Sequence, residues 1–262
     1  MGAACEATQS YDLKLFPIEK LQVELEVDSD FDWAWCNVHS AVKHLVARLG
    51  AKRVLEIGGG RSPLFDRATI EALGVEYIVN DVVQRELDRA PDYVSKARFD
   101  IAGDPDEIPP EMAGTIDVAF SRMVFEHVSS AERAYRNLSR LLRANGVALN
   151  FHPVLYSPPF VANWLLPEEV AFKVVNFFEH KERGDDLVPK FPARYSWCVI
   201  RGGIRERIRA TGFSQVRQIP FYGHRYLRRV PVIRGLEGSL HKFAAWANFP
   251  LLASFSYTIV QK

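Results

Sequence analysis

Apolar positions along the chain alternate between a helical rhythm and short continuous runs. Val38, Val42, Leu45, Val46 and Leu49 fall on one stripe, which predicts a helix over 37–49 that Gly50 ends. Arg53-Val54-Leu55-Glu56-Ile57 then reads as a short buried strand, of the kind found in parallel sheets. After a glycine turn the pattern predicts a helix over 63–73, with Ser62 as N-cap and Pro63 as first helical residue. Further strands are expected at Glu76–Asn80, ending on Asp81; at a short run ending on Phe99-Asp100; at Thr115–Ser121, with Ile116, Val118 and Phe120 inside; and at Val147–Phe151. A helix over 130–143, closed by Asn145-Gly146, separates the last two. Strands alternating with helices predict an α/β fold, a doubly wound and mostly parallel sheet that binds ligands at its strand C-termini.

The rhythm breaks twice. Residues 153–200 are rich in proline and aromatics, with one helix expected near 167–180, and read as an insertion forming a lid or a substrate wall. A helix near 203–211 and a strand near 213–219 resume the pattern, and residues 222–250 form a second, basic and aromatic insertion. Phe243–Val260 carries no formal charge, but Pro250 and the period-two run Ser254–Val260 mark a helix end, a turn and a final strand rather than a membrane anchor. Residues 1–36 are expected to form an N-terminal arm before a main domain at 37–262, with Phe31–Trp35 packed on that domain or near its site.

Composition sharpens this picture little until charge is mapped. The chain is 48% hydrophobic and 25% charged, which is globular, and its net charge is +1. Ten Lys/Arg against two acidic residues between Arg201 and Lys242 give that segment +8, and the first 200 residues carry −8. A basic region of this kind suits an anionic membrane surface, a phosphorylated substrate or nucleic acid, and equally a solvated face against the acidic remainder. Cys5, Cys36 and Cys198 lack metal or disulfide spacing, and the N-terminus lacks a signal-peptide core, so a cytoplasmic protein without a metal is expected.

The candidate chemistry lies at the strand ends. Gly58, Gly59 and Gly60 bring backbone close to a ligand, although Pro63 breaks the dinucleotide pattern of three spaced glycines. Asp81 is placed to accept ribose hydroxyls, while Asp100 and the amide of Ile101 are placed to address an adenine ring. Asp104 is the alternative to Asp100. His127 and His152 are candidates for acid/base work, with Glu126 and Tyr156 weaker ones.

Val54–Gly60, Asp81, Asp100, Ile116–Ser121, Val124-Phe125-Glu126-His127-Val128 and Leu141–Gly146 together resemble the ordered motifs of class I S-adenosylmethionine-dependent methyltransferases. The resemblance covers residues 50–152 and departs at Ser62, where many members have a third glycine. It implies a seven-stranded Rossmann-like methyltransferase fold and S-adenosyl-L-methionine as cofactor. It further implies that Glu56, Gly58 and Gly60 shape the methionine end, Asp81 holds the ribose, Asp100 and Ile101 address adenine, and Ser121 to His127 lead toward the acceptor. A small-molecule acceptor is expected, with nucleic acid disfavoured. The alternative is a non-catalytic module of this fold that binds a membrane or protein partner through its basic region.

Overall fold

The computed structural model describes residues 13, 16–165, 191–224, 231–247 and 249–262, with backbone alone at 162–163 and 231–238. In chain order the elements are α1 (Leu21–Glu24), α2 (Phe31–Leu49), β1 (Arg53–Ile57), α3 (Arg67–Leu73), β2 (Glu76–Asp81), α4 (Gln84–Asp88), β3 (Ser95–Arg98), β4 (Ile116–Arg122), α5 (Ala131–Leu141), β5 (Leu142–Pro153), α6 (Pro158–Leu165), α7 (Gly202–Arg209), β6 (Gln215–Phe221), α8 (Pro231–Trp246) and β7 (Phe255–Gln261).

The strands form one sheet in the order β3-β2-β1-β4-β5-β7-β6. The first five run parallel, and β7 is antiparallel to both β5 and β6. Chain direction across the sheet reverses between β1 and β4, so the ligand crevice of such a sheet lies above their C-terminal ends. Alternation of side chains along each strand builds a layer on either face. Val54, Val118, Phe120, Val147 and Leu149 pack with α2 on one face. Leu55, Ile57, Ala119 and Ala148 pack with Leu138 and Leu141 of α5 and Ile208 of α7 on the other. Each fully buried aliphatic side chain is worth about 1.5–3 kcal/mol, and β4 is buried on both faces from Ile116 to Ser121.

Three local expectations are corrected. Helix α2 starts at Phe31, not at 37, because the apolar stripe continues backward through Ala34 and Phe31 and the Asp30 carboxylate caps it, accepting from Asp32 N at 2.7 Å. A boundary at residue 36 therefore falls inside a helix. The residues before it are not a loose arm, since Leu13, Phe16, Ile18 and Leu21 are buried in the core. Helix α3 starts at Arg67 rather than 63. Asp66 is its N-cap, accepting from Thr69 N at 2.8 Å, so the amides of α3 do not point into the glycine turn. Helix α5 also stops two residues early, because Leu142 already pairs with Ile116 in the sheet.

The uncharged run ends as expected, with α8, a 3-10 turn at Pro250–Leu252 and β7. Among the described residues no helix is long and apolar enough to cross a membrane. The helix expected near 167–180 lies outside the described residues.

Candidate functional site

The turn after β1 is pinned to β2. Gly58 N and Gly59 N both donate to Asn80 O, at 2.9 and 3.1 Å. Gly58 has φ +71°, and a methyl there would meet Val124 Cγ2 at 2.5 Å, across the point where strand order reverses. Gly60 has φ +49°, and a methyl there would come within 2.9 Å of Asp81 Oδ2. Both positions therefore demand glycine for conformation and for space. Gly59 sits directly over Glu56.

Glu56 is 2% exposed and works inside the protein. Its Oε2 accepts from Tyr77 OH at 2.6 Å and from Leu64 N at 2.9 Å, which holds residues 58–66 as a wide turn. Burial raises its pKa, against the opposing pull of the Tyr77 and Leu64 hydrogen bonds. Asp81 is partly exposed at the end of β2, with Oδ1 accepting from Val83 N at 2.9 Å. Burial, and more weakly the charge of Glu86, raise its pKa.

Asn80 also brings the second carboxylate close. Its Nδ2 donates to Ala97 O at 3.1 Å and Phe99 O at 2.9 Å, tying the end of β3 to β2. Asp81 pairs with Arg98, which sets Asp100 just beyond the same sheet edge as the glycine turn. Asp100 Oδ1 accepts from Ala102 N, and Ile101 is buried. Asp104 is exposed and caps the short 3-10 turn at Pro105–Glu107. Glycine turn, Asp81 and Asp100 thus form one rim above β1, β2 and β3.

Beyond β4 the candidates separate. Ser121 is buried, and its hydroxyl donates to Asn150 Oδ1 at 2.9 Å, so it serves the sheet. His152 is corrected as an acid/base candidate. It is 1% exposed within β5, with Nε2 on Thr258 Oγ1 at 2.8 Å and Nδ1 on Pro153 O at 2.9 Å. Burial pushes its pKa down to about 4, so it is a neutral residue that locks β5 to β7. Tyr156 is also engaged, accepting from Arg201 at 3.4 Å at the surface.

His127 is better placed. Its side chain is 34% exposed, Nε2 lies 3.7 Å from Glu126 Oε1, and Nδ1 lies 3.3 Å from Pro192 O. Burial lowers its pKa, leaving it neutral at pH 7. Glu126 is buried, and among the described residues its Oε2 has no hydrogen-bond partner. Burial pushes its pKa up to about 8, so it keeps its proton at pH 7. The returning segment closes over this pair, with Arg194 N and Tyr195 N both donating to Glu126 O. Tyr195 and Trp197 adopt φ +50° and +59°, the strained left-handed region for such side chains.

Two further residues, across β1 from this rim, fall outside the motifs. Arg122 closes β4 with its guanidinium 5.9 Å from the ring of Trp35, on α2. The Phe31–Trp35 cluster hinted at the second, whereas only the strand register brings Arg122 to it.

The family model for a methyltransferase domain matches residues 34–178. No curated protein matches the chain. Among solved structures, phosphoethanolamine N-methyltransferase 2 of Haemonchus contortus, in complex with S-adenosyl-L-methionine, is similar at 17% identity and a TM-score of 0.52, over 85% of this chain and 52% of that one. The CurJ carbon methyltransferase is similar at 14% identity and 0.52, over 93% and 57%. The [4+2]-cyclase SpnF is similar at 14% and 0.51, over 90% and 85%. The chain thus spans little more than half the length of the first two. Likeness at these identities is likeness of fold, and a neighbour named as a cyclase illustrates that fold alone does not set the reaction.

Proposed function

The chain belongs to the methyltransferase-domain family of class I S-adenosylmethionine-dependent enzymes, and from that premise we propose that it moves a methyl group from S-adenosylmethionine to a small-molecule acceptor by in-line displacement. The observation that carries this reading is the rim in which the bare backbone of Gly60 meets Asp81 while Asn80 draws Asp100 alongside. The donor set suits an adenosyl group: a carboxylate for two ribose hydroxyls, a second carboxylate for an exocyclic amine, and a slot where backbone approaches closely. When bound, the cofactor supplies an electrophilic methyl on a sulfonium centre.

The protein's part is alignment and dryness. Glu56, held by Tyr77, keeps the turn open for the methionine end. Asp81 takes the ribose, and Asp100 with the Ile101 amide takes the adenine. Residues 121–127 lead to the acceptor, which must approach within about 3 Å of the methyl along the displacement axis. The segment at 191–198, clamped on Glu126, excludes water from that approach. Neutral His127 accepts a proton at a ring nitrogen if the acceptor must lose one.

The test is calorimetric titration with S-adenosylhomocysteine. Micromolar binding by the wild type that falls tenfold or more in Asp81→Ala supports the reading, and absent binding, or binding that Asp81→Ala leaves unchanged, overturns it. A peripheral contact with an anionic membrane is a second, compatible reading. It is favoured by the exposed side chains of Leu240, Phe243 and Trp246 on α8, at 45%, 57% and 82%, within the basic region.

A further inference from the structure

Arg122 is the last residue of β4, and its surroundings are unusual for a cation. It is only partly exposed, yet among the described residues its guanidinium makes no hydrogen bond or ion pair. Glu56 feels its charge, but the Glu56 carboxylate is bonded to Tyr77 and Leu64 instead. What the guanidinium has is a ring: it lies 5.9 Å from the centroid of Trp35, which is 39% exposed. Five N–H donors in a fixed fork are therefore held beside an aromatic face with no acceptor supplied by the described protein.

The position is built rather than incidental. Met123, the next residue, adopts φ +58°, a strained conformation for a side chain of that size, and its N–H donates to Phe151 O at 2.8 Å. That bond fixes where the strand ends and so where Arg122 leaves it. Trp35 is fixed as well, packed edge-on against Phe151 at 5.9 Å and against Phe31 at 6.0 Å, while Phe31 stacks on Phe255 at 4.2 Å. Of these supports, Phe151 and Phe255 lie on β5 and β7. Asp81 lies on β2, with β1 between it and β4. The Arg122–Trp35 pair therefore stands on the acceptor side of the crevice, away from the edge assigned to the adenosyl group.

We propose that Arg122, seated on Trp35, docks an anionic oxygen group of the acceptor, a carboxylate or a phosphate, whose apolar or aromatic body lies against the exposed face of Trp35. This deepens the methyltransferase reading and rests on it. A guanidinium fork pairs with two oxygens of either group through charge-assisted hydrogen bonds, and partial burial strengthens them. The acceptor is thereby gripped at one end, which leaves its nucleophilic end to be aimed at the methyl donor.

The probes are benzoate, phenyl phosphate and the uncharged benzamide, titrated into the full chain loaded with S-adenosylhomocysteine and followed by saturation-transfer NMR. The wild type is expected to prefer each anion over benzamide by tenfold or more. Arg122→Gln should abolish that preference, and Arg122→Lys, which keeps the charge without the fork, should retain part of it. Thermal melts of both variants check folding. The cofactor arm uses S-adenosylhomocysteine and 5′-methylthioadenosine, which lacks the amino-acid carboxylate, with both affinities expected to stay within twofold in Arg122→Gln. No anion preference in the wild type, or a preference that survives Arg122→Gln, overturns the proposal. So does a tenfold loss of S-adenosylhomocysteine with 5′-methylthioadenosine unchanged, which would give Arg122 to the cofactor's carboxylate. Failure of the wild type to bind S-adenosylhomocysteine instead strikes the methyltransferase reading itself, so the two failures are told apart.

Discussion

Tyr77 donates its phenolic hydrogen to Glu56 at 2.6 Å, from the start of β2 to the C-terminal end of β1, with both side chains buried. This bond couples the core to the site. The same carboxylate oxygen accepts from Leu64 N and so decides the path of the chain after the glycines. Removing the phenol leaves a buried carboxyl short of a donor, a loss of about 1–3 kcal/mol. Tyr77→Phe should therefore lower stability by that amount in urea unfolding and also weaken S-adenosylhomocysteine binding. A destabilised variant with unchanged affinity would show that Glu56 does not shape the site.

His152 should govern acid stability rather than catalysis. Its folded pKa of about 4 lies below the ordinary value of 6.5. The unfolded chain therefore binds the proton more readily, so stability is fully present above about pH 6.5 and is lost as pH falls toward 4, by roughly 3 kcal/mol in all. His152→Gln should flatten that part of the stability curve without moving the pH profile of methyl transfer. Unfolding series between pH 4 and 7 on both proteins measure it.

Glu126 has the opposite sign. Its folded pKa, raised to about 8 from 4.5, makes its contribution full below pH 4.5 and progressively lost as pH rises through 8. Glu126→Gln keeps the shape without the titration. It should match or fall below the wild type near pH 4.5 and exceed it by about 2 kcal/mol or more at pH 8. Equal stability at both pH values would mean that the carboxyl ionises freely.

Trp246 tests the membrane reading. At 82% exposure it projects from α8 beside Phe243, with ring centroids 6.0 Å apart, in a region of net positive charge. Co-sedimentation with vesicles containing phosphatidylserine should be strong at low salt, fall at high salt, and drop several-fold in Trp246→Ser. Indifference to lipid charge or to the substitution would reject the contact.

Much of this protein was legible in its residues taken in line. Local patterning determined seven strands and most of the helices between them, because a buried parallel strand and an amphipathic helix each leave a period that survives without the fold. The glycine turn, Asp81 and Asp100 were legible for a related reason: they sit at fixed offsets from strand ends, and the topology of such a sheet gathers strand ends together. Only the tertiary structure decided the rest. Asp66 rather than Ser62 caps α3 because a buried glutamate eight residues upstream claims the Leu64 amide. His152 left the list of bases because Thr258, on a strand 106 residues away, occupies its ring nitrogen. Arg122 and Trp35 met through the pairing of a helix with a sheet. Such contacts depend on which distant atoms share a burial site, and sequence distance carries no record of that.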